Sequence, residues 1–121
     1  VGDLMHPNPP LVPESMTMGD TLVEISRNGF GVVGVTDTDG LLTGIITDGD
    51  LRRQLDGLMI RTAGEVMTRG PQTIGPDALA GEALAVMNDR KITCLLVTET
   101  AAGRRAIGIL HVHDCLRAGL S

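Results

Sequence analysis

The sequence predicts an α/β (α+β) fold: two copies of one β-α-β-β-α unit, residues 1–57 and 58–121, packed as a pseudo-two-fold pair. Two observations carry this. The chain matches itself at an offset of 62 residues, with Gly2 on Gly64, Met5 on Met67, Pro9 on Pro71, Leu22 on Leu84, Val35 on Val97 and Thr36 on Thr98. Beyond a two-residue insertion around Ala101–Arg105 the offset becomes 64, with Gly44 on Gly108, Ile45 on Ile109, Asp50 on Asp114 and Arg53 on Arg117.

Each copy opens on an extended, proline-bearing piece, Pro9 to Pro13 and Pro71 to Pro76. A helix follows, because Met18, Leu22 and Ile25 recur as Ala80, Leu84 and Met87, spaced as one helical face. Asn28–Gly29 and Asp89–Lys91 stop these helices. Two short β-rich runs come next: Val32–Val35 with Leu42–Ile46, and Cys94–Val97 with Ala106–Leu110. Turn residues such as "TDTDG" separate them, so each pair reads as paired strands. A second helix starts at Asp48, carrying Leu51 and Leu55, or near Val112, carrying Leu116.

Composition narrows the function. Apolar residues form 42% of the 121, enough for a core without disulfides or metal at this length. Phe30 is the only aromatic and the net charge is −5, which argues against nucleic acid as a partner. Cys94 and Cys115 show no CxxC spacing and read as reduced core thiols of a cytoplasmic protein, with zinc ligation the alternative. No run approaches a membrane span. The start at Val1, without Met or signal peptide, reads as a domain taken from a longer chain.

The chemistry concentrates where strand meets second helix, written "GIITDGDLRR" and "GILHVHDCLR". Thr47 and Asp50 correspond to His111 and Asp114. Thr47 or Asp48 can cap the helix start. Asp50 and Asp114 recur while their neighbours differ, and a carboxylate there can accept from two vicinal ribose hydroxyls, with nearby hydroxyl and N–H groups left for a phosphate. On this reading Asp50→Ala weakens a ribose-bearing ligand at little cost in stability. Gly44 and Gly108 leave room for a ligand ring against the backbone. Among the basic residues, Arg53 is the candidate phosphate partner. Asp48 and Asp50 do not face each other as a general acid/base pair, and no nucleophile constellation is present; catalytic residues: none. His111, His113 and Asp114 could ligate zinc, but further ligands are not apparent. One histidine on an anionic ligand is the preferred reading.

The duplicated unit, the "DLM" and "EVM" openings and "GIITDGD" resemble a tandem pair of CBS domains, a Bateman module, across Val1–Leu120. "GIITDGDLRR" together with "GILHVHDCLRAG" is similar to the C-terminal regulatory region of bacterial D-arabinose 5-phosphate isomerases. In that family a sugar isomerase domain precedes the CBS pair, and the pathway leads to Kdo for lipopolysaccharide. The resemblance implies regulatory ligand binding in clefts between the repeats, no catalysis by this fragment, no required cofactor, and a homodimer. One implied cleft joins Gly44, Ile45, Thr47 and Asp50 to Ile74, Ile92 and Thr93. The other joins Ile109, His111 and Asp114, with His113 beside them, to Val12, Phe30 and Gly31. His111 stands where such pairs usually place Ser or Thr for phosphate, which favours a nucleotide-sugar over a plain adenine nucleotide. The natural end product, CMP-Kdo, is the candidate ligand, with another nucleotide as the broader expectation. Two alternatives stay open: a structural dimerisation module with vestigial clefts, and a metal-responsive CBS pair.

Overall fold

The computed structural model describes Val1–Gly119; Leu120 and Ser121, the end of the expected second repeat, lie outside the described residues. The structure is mixed α/β, with two four-stranded sheets and their helices. It divides into two compact units, Pro10–Pro71 and a second formed by Val1–Pro9 with Gln72 onward. Each unit thus takes the opening segment of the other repeat into its own sheet.

In the Pro10–Pro71 unit the elements are β2 (Leu11–Pro13), α1 (Met18–Asn28), β3 (Val33–Thr36), β4 (Leu42–Ile46), α2 (Asp48–Arg53), α3 (Ala63–Val66) and β5 (Thr68–Arg69). Thr17 caps α1 by accepting from the Asp20 N–H at 3.3 Å, and Gly29 ends it at φ 79°, a left-handed conformation that glycine adopts without a Cβ penalty. The apolar face read from the sequence packs inward: Met18 is fully buried, and Leu22 and Ile25 lie against the same core as Val12, Val33, Val35 and Ile46. The β3–β4 hairpin turns on Asp37, whose carboxylate accepts from the Asp39 and Leu41 N–H groups at 2.9 and 3.0 Å. Sheet order is β2-β3-β4-β5, with β2 parallel to β3 and the other pairs antiparallel.

The other unit repeats the scheme. Its elements are β1 (His6–Pro7), β6 (Thr73–Ile74), α4 (Ala80–Arg90), β7 (Cys94–Thr98), β8 (Ala106–His111) and α5 (Val112–Arg117). Sheet order is β1-β8-β7-β6, with β6 parallel to β7. Ala80, Leu84 and Met87 face its core, alongside Leu95, Val97, Leu110 and Cys115. Cys94 and Cys115 are buried thiols outside any disulfide among the described residues, and burial raises the pKa of both.

The sequence reading misses four pieces: the two-residue strands β1 and β5, the short helix α3, and a 3₁₀ turn at Leu58–Ile60. It also runs α2 too far. The helix ends at Arg53, so Leu55, expected on it, lies beyond it and is 67% exposed. Among the described residues no helix is long and apolar enough to cross a membrane.

Candidate functional site

Both strand-to-helix junctions are built on one plan. At the β4–α2 junction Thr47 is the N-cap and Asp50 the third helical residue. The Asp50 carboxylate reaches back to accept the Thr47 N–H at 2.9 Å and its Oγ1–H at 3.1 Å, as the acidic member of a capping box does. Its other oxygen accepts from Thr68 Oγ1 at 2.5 Å and from Arg53 Nη2 at 2.8 Å. At the β8–α5 junction Asp114 accepts from the His111 N–H at 2.8 Å and Arg117 Nη2 at 2.6 Å. His6 Nε2 lies 3.0 and 3.1 Å from its two oxygens. At the 62-residue offset His6 falls on Thr68, so each carboxylate is held by its own helix and by the edge strand its unit receives.

Burial alone would raise the pKa of both carboxyls. For Asp50 the bonds from Thr68, the Thr47 N–H and Arg53 outweigh it, and the net shift is downward. For Asp114 the His111 N–H, His6 and Arg117 do the same. Both groups are carboxylates near neutral pH.

His111 replaces the threonine as N-cap. Its Nδ1 accepts from the His113 N–H at 3.0 Å, which assigns the proton of the neutral ring to Nε2. Burial, then the neighbouring His113, lowers the His111 pKa. The two rings stand 4.5 Å apart, tilted by 54°. The junction therefore presents a neutral imidazole that carries a donor N–H on Nε2.

The remaining candidates fall as follows. Gly44 and Gly108 do not open space for a ring on their Cβ side: a Cβ on Gly44 would sit 2.8 Å from the Thr68 carbonyl, with Met67 closer still, and one on Gly108 3.0 Å from the His6 carbonyl. These glycines admit the protein's own edge strands. Val12 and Ile109 are buried to 1% and 0% exposure and can offer a ligand little beyond backbone. In the Pro10–Pro71 unit, Phe30 and Gly31 precede β3 at the sheet end where Val33 pairs Ile46, the end that also carries Thr47. In the other unit, Ile92 and Thr93 precede β7 at the end where Cys94 pairs His111, and the Thr93 carbonyl accepts the Val112 N–H at 2.8 Å. Ile74 lies on β6, paired with Val97. Asp48, a capping candidate in the sequence, is an exposed first helical residue paired with Arg52 at 2.7 Å. His6 and Thr68 were missed, although the internal alignment sets one on the other. Among the described residues no group of three His, Cys, Asp or Glu is placed to hold a metal ion.

A model of the CBS domain matches residues 1–57 and 63–121, nearly the whole chain. The chain belongs to the CBS domain family. As a CBS pair it is regulatory in type rather than catalytic. It is 43% identical to arabinose 5-phosphate isomerase KdsD of Pseudomonas aeruginosa over 99% of its length, and 40% identical to that of Yersinia pestis over the same share. It spans 38% and 37% of those curated relatives. Among solved structures, the CBS pair is similar to CBSX2 in complex with AMP, with a TM-score of 0.82, 27% identity, and coverage of 98% of this chain and 94% of that one. The CBS domain pair of protein MJ0100 superposes with a TM-score of 0.85 at 24% identity, covering 98% and 94%, and supports the fold.

Proposed function

We propose that this CBS pair is the regulatory, ligand-sensing part of a sugar-phosphate isomerase of the arabinose 5-phosphate isomerase kind, following an isomerase domain in a cytoplasmic, homodimeric parent. Its ligand is a nucleotide or nucleotide-sugar, and CMP-Kdo is the specific candidate. The observation that carries the reading is the paired Asp50 and Asp114 junctions in a chain 43% identical to such an isomerase. The AMP held by CBSX2, a relative at 27% identity, supports a ribose-bearing ligand.

Thr47 and Asp50, and His111 and Asp114, are the proposed polar contacts, with Gly44, Ile45 and Ile109 beside them. Val12, Phe30, Gly31, Ile74, Ile92, Thr93 and His113 are further candidate contacts. The Nε2–H of His111 suits a sugar-acid carboxylate, which a threonine hydroxyl serves less directionally. Calorimetry with CMP-Kdo, CMP and AMP tests this. CMP-Kdo should bind more tightly than CMP, and His111→Ala should remove that difference while sparing CMP. AMP bound in preference to CMP-Kdo would overturn it.

One observation favours a second reading, a structural dimerisation module with vestigial clefts. A carboxylate offers about four lone-pair positions, and Asp50 already accepts four hydrogen bonds from its own unit. A ribose must displace some of them. If none of the three nucleotides binds, the structural reading replaces the sensor.

A further inference from the structure

A second feature of the Pro10–Pro71 unit lies past the other end of α2. Arg52, Arg53, Gln54, Leu55, Asp56 and Arg61 line a pocket of roughly 340 Å³, near the lower end of the size range of small-molecule sites. Three of the chain's nine arginines meet there, in a protein of net charge −5. Against Asp56, the lining carries a formal +2, that is, three minus one.

Each of these arginines has a hydrogen-bond partner on the protein. Arg52 donates to Asp48 at 2.7 Å and Arg53 to Asp50 at 2.8 Å. Arg61 is positioned without a carboxylate: its Nη1 donates to Gln54 Oε1 at 2.8 Å, and the Gln54 amide nitrogen donates to the Val66 carbonyl at 2.9 Å. Among the described residues Arg61 makes no ion pair, so its charge is not offset by an acidic partner. Each guanidinium has five N–H donors, and these bonds use one apiece. A bland account has the arginines only offsetting the negative end of a helix. That account leaves the Gln54 relay unexplained. In the second repeat Leu116 and Ala118 stand at the positions of Arg52 and Gln54, so the feature is not a property of the shared fold.

We propose that this pocket is an anion site for a phosphate monoester, distinct from the junction contacts proposed above. A monoester brings up to two charges and three acceptor oxygens to forked donors that match phosphate geometry, while Leu55, 67% exposed, offers its organic part an apolar wall. The test is calorimetry of the full chain with phenyl phosphate, with phenol as the uncharged control. Wild type should bind phenyl phosphate saturably and phenol not at all. Arg61→Gln and, separately, the exposed Arg52→Gln should each weaken binding at least tenfold, while Arg90→Gln, an exposed arginine of the other unit, leaves it unchanged. No saturable binding, equal binding of phenol, or unchanged affinity in both arginine variants would overturn the site. An equal loss on Arg90→Gln would also overturn it, since binding would then follow net charge and not the pocket; CMP-Kdo binding is read separately.

Discussion

Asp50 is buried to 2% exposure and bonded to Thr47, Thr68 and Arg53, so its removal strikes the fold before any ligand. The sequence reading had Asp50→Ala nearly neutral for stability; the geometry corrects that. Hydrogen bonds to a charged group contribute about 1.5–3 kcal/mol, and the Arg53 partner, 68% exposed, adds little beyond the threonine bonds. Urea denaturation should show a loss of about 2–3 kcal/mol for Asp50→Ala and under about 0.5 kcal/mol for Asp48→Ala, an exposed carboxylate paired with the surface Arg52. Equal losses would contradict this assignment. His111 gives a pH signature. Its pKa in the folded chain lies below the ordinary 6.5, so between the two values the unfolded chain binds more protons. Its contribution to stability is full above 6.5 and is lost as pH falls through the lower folded value. Each pH unit within that window costs up to about 1.4 kcal/mol. His111→Thr, which restores the Thr47 arrangement, should lose less melting temperature between about pH 7 and about pH 5.5 than wild type. An unchanged loss would place the titration elsewhere. Asp50 and Asp114 were legible as a pair because the repeat aligns them. Their partners Thr68 and His6 were not, because a contact across 18 or 108 residues leaves no local pattern.

At the scale of elements, what the sequence shows depends on length. Helices α1 and α4 have 11 residues each, enough for a 3.6-residue period to repeat, and both were read with their stop signals. Strands β1 and β5 have two residues each and show no alternation at all. Helix α3 was also unread: Thr62 and Glu65 give it a capping pair, but four residues cannot display a period. The two long helices end differently. Gly29 closes α1 in the left-handed region at φ 79°, whereas Lys91 takes the same role for α4 at φ 57°. A side chain there costs about 1 kcal/mol that glycine avoids. The Lys91 N–H donates to the Asn88 and Met87 carbonyls, bonds that any residue but proline keeps, so replacement by glycine leaves the cap intact. Lys91→Gly should therefore raise stability by about 0.5–1 kcal/mol, read from denaturant midpoints at constant slope. A destabilised variant would mean that the lysine side chain makes contacts outweighing the strain.

For the whole molecule, duplication was legible because two copies of one pattern reinforce each other, whereas the exchange of opening segments was not. Nothing local to Val1–Pro9 says which sheet edge it joins, and the choice rests on close approach at Gly108 and Gly44. The surface raises a last question, the assembly state. In the Pro10–Pro71 unit, Val23 on α1 is 52% exposed, and Met59 and Ile60, in the 3₁₀ turn beside that helix, are 63% and 89% exposed. Met59 Cε comes within 3.4 Å of where a Cβ on Gly19 would lie, which sets the turn against the start of α1. Large apolar side chains left in water on neighbouring elements favour a surface that a second copy can cover. Burial of an isoleucine side chain is worth about 1.5–3 kcal/mol, and in a two-fold dimer the residue counts twice. Sedimentation at tens of micromolar should show a dimer for the wild-type chain and a monomer for Ile60→Glu, with the melting temperature of the variant monomer near that of diluted wild type. A wild-type monomer at that concentration, or a dimer indifferent to Ile60→Glu, would remove this surface as the site of pairing.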